Sequence, residues 1–142
     1  MNPLLDFSGL PRFVEIVPQQ VTPAVDELLL ENRSLISQLL ADCAPVTWSQ
    51  FVQPLEDANE RLSRAWGQVT HLNAVMNCPE LREAYNANLP KISQYHSELA
   101  QNQGLYEKFK ALKTGSGFAL LSRAQQKIVE NELRDFRLGG AE

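Results

Sequence analysis

A chain of 142 residues that is 44% apolar and 21% charged is long enough for a domain with a real core, since folding at this size hides roughly 68–70% of the surface of the open chain. The net charge of −4 comes with both signs interspersed, which argues against nucleic acid or an anionic membrane as a main partner, because both select clustered cations. No long apolar run and no basic leader occur in the sequence, so neither a membrane span nor a secretory signal is expected and a cytoplasmic protein is the default.

Residues 1–21 are predicted to form an extended N-terminal arm. Pro3, Pro11 and Pro18, with Pro23 just after, remove backbone donors and favour extended geometry before them. The arm nevertheless carries Leu4, Leu5, Phe7, Phe13, Val14, Ile16 and Val17, too apolar for a disordered tail. It is expected to lie in a groove, on this domain or on something else.

Residues 22–142 are read as a helical bundle. Thr22-Pro23 has the chemistry of a helix start, and Val25, Leu28, Leu29, Leu35, Ile36, Leu39 and Leu40 supply an apolar face, interrupted by Asn32 and Arg33. Pro45 places the end of that helix near Cys43. Thr47 and Gln50 have capping-box spacing, and Pro54 predicts a break soon after, because it would lose a hydrogen bond and clash with the carbonyl four residues back. Trp48, Phe51 and Trp66 are expected as large core fillers.

The centre of the chain is a helical hairpin over 54–101. Leu55, Ala58, Leu62, Ala65, Val69, Leu72 and Met76 alternate three and four apart, which is one stripe along a helix. Leu81, Tyr85, Ile92, Tyr95 and Leu99 make a second stripe, with Asn88 on the line. Asn77-Cys78-Pro79-Glu80 joins them with a cap and a first-turn proline, and so short a link predicts antiparallel neighbours. Pro90 predicts a bend near 87–89. After Gly104 a short helix follows over 105–113 with Leu105, Tyr106, Phe109 and Leu112 inward. Thr114-Gly115-Ser116-Gly117 is a loop. A last helix, capped by Ser122 and Gln125, runs to about Arg137 with Ile128, Val129, Leu133 and Phe136 buried. The fold class is therefore all-α, an antiparallel bundle of about five helices with an extended proline-rich arm.

The search for chemistry returns no catalytic, cofactor-binding or metal-binding residue. His71 and His96 sit on different helices, without a second ligand at the spacing of a zinc helix. Glu56, Asp57 and Glu60, followed by Arg61 and Arg64, read as a solvated face with pairs such as Asp57–Arg61 and Glu60–Arg64. Cys43 and Cys78 read as reduced thiols, the latter at a helix start that could lower its pKa. The glycine-rich loop at 114–117 lacks the phosphate-loop pattern and no strand leads into it. Tyr85, Tyr95 and Tyr106 are core or rim residues.

Several stretches are nonetheless distinctive in their order. They are Asn2-Pro3-Leu4-Leu5, Leu10-Pro11-Arg12-Phe13, Pro23-Ala24-Val25, His71-Leu72-Asn73-Ala74-Val75, Pro79-Glu80-Leu81-Arg82-Glu83-Ala84-Tyr85, Leu89-Pro90, Ser93-Gln94-Tyr95 and Asn131-Glu132-Leu133-Arg134-Asp135-Phe136. Together they resemble the N-terminal region of the thimet oligopeptidase family of zinc metallopeptidases. The resemblance implies a long, almost wholly helical chain around a deep channel, cutting short peptides in the cytoplasm. It places zinc on an HExxH helix far C-terminal to this region. It implies that the present chain is a non-catalytic segment of the channel wall, inactive alone, with zinc only in the full-length parent. Its partners would be the remainder of the parent chain and, within the parent, short peptide substrates. An apolar patch left uncovered on the lone segment would be open to pairing with a second copy. The alternative is a stand-alone helical interaction module.

Overall fold

The computed structural model describes residues 2–11, 13–76 and 78–140. Five α-helices are seen: α1 (Val21–Ala41), α2 (Gln53–Val75), α3 (Pro79–Ala100), α4 (Gln103–Thr114) and α5 (Arg123–Gly139). Short 3-10 turns lie at Pro3–Leu5, Phe13–Glu15, Pro18–Gln20 and Phe118–Leu120, and a π-helical turn at Trp48–Val52. The fold is all-α, with no strand among the described residues. Two compact units are distinguished, one of residues up to Leu35 with Leu55–Ser93, the other of Ile36–Pro54 with the residues from Gln94 onward.

In the first unit most positions of the predicted stripes are buried, with Leu35 and Tyr85 half-buried. Val25, Leu28 and Leu29 of α1 are buried, as are Leu55, Ala58, Leu62, Ala65, Val69 and Leu72 of α2 and Leu81 and Ile92 of α3. Met76 drops out, being half exposed just beyond the end of α2. Two amides interrupt the apolar lines from inside. Asn32 donates to the Ala58 carbonyl at 3.3 Å. Asn88 donates to Thr22 Oγ1 at 2.8 Å and to the Ala84 carbonyl at 2.7 Å. Thr22 thus accepts from α3 and is not the cap of α1, which begins at Val21 directly after the turn Pro18–Gln20. Trp66 is half-buried rather than central, stacked on Tyr85 with ring centres 5.1 Å apart.

The arm is only partly extended. Its prolines fit the first position of 3-10 turns, where a missing N–H is no loss, and two of its three turns begin on one, Pro3 and Pro18. It lies on its own unit. Leu4 is fully buried, and Asn2 Nδ2 donates to the Gln20 carbonyl at 2.9 Å, joining the two ends of the segment.

In the second unit an aromatic cluster forms the core. Phe51 meets Phe109 edge-on at 4.9 Å, and Phe136 lies 5.6 Å from Phe109 and 5.8 Å from Tyr106. Leu105, Leu112, Val129 and Leu133 are buried around them. Trp48 is half-buried and its indole donates to Gln53 Oε1 at 3.0 Å. Helix α1 ends at Ala41, two residues short of the expectation; the Asp42 carboxylate then accepts the Ala44 N–H at 2.9 Å.

The break expected at Pro54 takes another form. Thr47 Oγ1 accepts the Gln50 N–H at 3.2 Å, as the sequence predicts. The chain then winds through one widened turn, with the Gln53 N–H reaching the Trp48 carbonyl five residues back, and passes straight into α2. Widening moves the carbonyls away from the proline ring, so Pro54 sits in the first turn of α2 without ending the helix. Pro90 likewise lies inside an unbroken α3. Helix α4 starts at Gln103, capped by Asn102, whose Oδ1 accepts the Leu105 N–H at 3.0 Å, so Gly104 belongs to the helix and not to the link before it. A Cβ on Gly104 would lie 3.0 Å from Leu40 Cδ2. The predicted box at α5 is complete: Ser122 Oγ accepts the Gln125 N–H at 3.1 Å and Gln125 Oε1 accepts the Ser122 N–H at 3.0 Å. Helix α5 ends on Gly140, at φ +92°, the left-handed geometry that glycine alone adopts at no steric cost.

Candidate functional site

The side chains with chemical potential are dispersed. His71 is exposed on α2, its ring 5.2 Å from that of Phe13. His96 is exposed on α3, 5.7 Å from the Tyr95 ring. The two histidines fall in different units. Among the described residues no three of His, Cys, Asp and Glu are grouped so as to hold a metal ion.

The acidic start of α2 departs from a simple solvated face. Glu56 is half-buried. Burial, and then the neighbouring Asp57 and Glu60 carboxylates, push its carboxyl above the usual value. Arg64 does not turn to Glu60. Its guanidinium reaches back to the arm, donating from Nη1 to the Phe7 carbonyl at 3.4 Å and from Nη2 to the Gly9 carbonyl, with the Phe7 ring 5.8 Å away. An arginine fork saturated by two carbonyls and an aromatic face is a fastener. The sequence offered no signal for this pairing, because 55 and more residues separate the partners.

The cysteines are free thiols. Cys78 lies beside α3's first turn and donates to Glu80 Oε2 at 3.3 Å. That bond, after the one from the Glu80 backbone, holds the Glu80 carboxyl below the usual range. The Asn77 cap lies outside the described residues. On either side of the glycine-rich loop, Lys113 Nζ sits 4.4 Å from the Phe118 ring centre, and it lies 3.0 Å from Glu130 Oε1.

The second unit has clefts at two places. One, of about 230 Å³, is lined by His96, Leu99, Ala100, Glu132, Asp135 and Phe136. The other lies beside the end of α1, between Pro45, Thr47 and Lys108, where Lys108 Nζ donates to the Asp42 carbonyl at 2.5 Å. Neither cleft is lined by a serine or a cysteine. Sequence reasoning also missed Gln68. It is buried on α2, and neither of its polar side-chain atoms has a hydrogen-bond partner among the described residues.

Known proteins resemble this chain over nearly its whole length. Oligopeptidase A of Haemophilus influenzae is 48% identical over 139 residues, which is 98% of this chain and 20% of that protein. Oligopeptidase A of Escherichia coli is 44% identical over the same share. A probable cytosolic oligopeptidase A of Arabidopsis thaliana is 34% identical, again over 98% of this chain and 20% of its own length. The chain thus spans about a fifth of the length of these relatives. The family model described as the neurolysin/thimet oligopeptidase N-terminal domain matches residues 25–142, and the chain belongs to that family.

Proposed function

We propose that this chain is the non-catalytic N-terminal helical part of an oligopeptidase A-like zinc metallopeptidase of the cytoplasm, where it forms part of the wall of the channel that admits short peptides. One observation of proportion carries the reading: the likeness covers 98% of this chain and 20% of the bacterial relatives. A wall of packed helices excludes folded proteins by geometry, so the contribution of this part is size selection and support. Bond cleavage belongs to the rest of the parent, where zinc supplies an activated water. The described residues here do not fit that ion. Each histidine faces an aromatic ring, and no third ligand joins either one.

The test is a peptide-cleavage assay on the purified 142-residue chain with added zinc, beside the longer product of its reading frame. No turnover is expected from the short chain and turnover from the long one. Hydrolysis by the short chain that a chelator abolishes would overturn the proposal. A frame that ends at Glu142 beside an unrelated gene would favour a stand-alone interaction module.

A further inference from the structure

We infer that the arm is a preformed docking loop, and that the part of the parent chain following residue 142 covers its outward residues Leu10, Val14 and Val17. The inference rests on the reading of this chain as one part of a longer peptidase.

The loop is built from the inside. Its neck is closed by the hydrogen bond from Asn2 to the Gln20 carbonyl, and Gln20 Oε1 accepts the Val17 N–H at 2.9 Å. Leu4 anchors one limb in the core at 0% exposure. Arg64 holds the middle by the Phe7 and Gly9 carbonyls, and Phe13 leans on His71. The ends of the segment are thus held together, and Leu4 is packed inside. Yet Leu10 is 90% exposed, Val14 98% and Val17 45%. Single exposed leucines are ordinary on protein surfaces. Three apolar residues on one fastened loop are a different matter, because a segment already held in shape loses little freedom when a partner covers it.

The occupant follows from length. The bacterial relatives carry about four-fifths of their sequence outside the matched part, of which this chain covers 20%. A protein surface presented by that remainder, apolar opposite the loop, is the partner whose chemistry fits.

The experiment places a cysteine by Val14→Cys in the 142-residue chain and in the longer product of the frame, and follows maleimide modification of that site by peptide mass. In the longer product the rate is expected to fall by about tenfold or more, as for a site reached only by local opening, and to be independent of protein concentration. Equal rates in both proteins overturn the inference. So does protection of the longer product that appears only on concentrating it, which makes a second copy the occupant. Leu10→Asp with Val14→Asp gives the second readout: a lowered melting temperature in the longer product and none in the short chain. Peptide cleavage by the longer product alongside equal labelling rates removes the docking loop alone. A frame with no longer product removes the parent reading itself.

Discussion

Gly139 has the closest surroundings of the glycines in the second unit. A Cβ there would lie 2.8 Å from the carbonyl oxygen of Ala100 and 2.8 Å from its Cβ. Since one of those atoms is backbone, the strain cannot be relieved by a rotamer change, and Gly139→Ala is expected to destabilise the chain by about 1–3 kcal/mol, read as a lower urea midpoint. Gln68 points the other way. Replacing a buried amide that has no partner by an apolar side chain of similar shape removes a desolvation penalty, so Gln68→Met is expected to stabilise by about 1 kcal/mol or more. Loss of stability in that variant would mean that the amide is bonded after all. Glu56 adds a pH signature. Its folded pKa lies above the unfolded one, so near the carboxylate range the folded chain holds more protons, and stability falls as pH rises through and just above that range. Glu130 has the opposite sign: the hydrogen bond from Lys113 lowers its pKa, and its contribution disappears as pH falls through the folded value. Urea midpoints measured across acidic to neutral pH should lose the Glu56 slope in Glu56→Gln and keep the Glu130 slope.

At the level of elements, caps and fasteners are the parts with separable effects. Ser122→Ala removes one half of the box that starts α5 and is expected to cost about 1 kcal/mol, seen as faster amide exchange in the first turn of that helix. Arg64→Ala releases the arm from α2, and chymotryptic cleavage after Phe7 or Phe13 is expected to accelerate severalfold, with the melting temperature of the helices little changed. Unaltered cleavage would show that Leu4 and the Asn2–Gln20 bond hold the arm without Arg64. These elements also mark what could be read from sequence. Stripes at three-four spacing and side chains three residues from a cap are local patterns, so the helices, Thr47, Ser122 and the inward faces of α4 and α5 were legible. The arm was legible as apolar but not as fastened, because Arg64 meets Phe7 and Gly9 only once the chain is folded. Trp48 and Trp66 were placed in the core on size alone, whereas each keeps part of its ring at the surface, with an indole donor or a stacked tyrosine as reason. Pro54 was read as the start of the main helix, and α2 begins at Gln53; Gly104 was read as a connection, and the Asn102 cap takes it into α4.

For the molecule as a whole, the two histidines fall in different units, and no three of His, Cys, Asp and Glu are grouped to hold a metal ion among the described residues. Catalysis would need a nucleophile or metal-bound water, a base within hydrogen-bond reach and a group to steady the developing charge. The expectation for the proposed parent is a division of labour in which changes on this part alter which peptides enter, not the bond-breaking step. Shortening Trp66 and Tyr85 to alanine in the parent should leave turnover of short peptides unchanged while weakening thermal stability, by loss of a stacked pair contributing about 0.5–1.5 kcal/mol beyond area.

The widened turn at Trp48–Val52 carries a lesson for indels. One residue removed from within α2 would rotate everything beyond it by roughly 100° and swing the buried stripe toward water. One residue removed from the widened turn would merely restore ordinary winding, but Pro54 would then collide with the carbonyl four positions before it. Chain length at that spot and proline at position 54 are therefore a linked pair: a homologue one residue shorter there should carry something other than proline, and a deletion engineered without that second substitution should fold worse than one made with it.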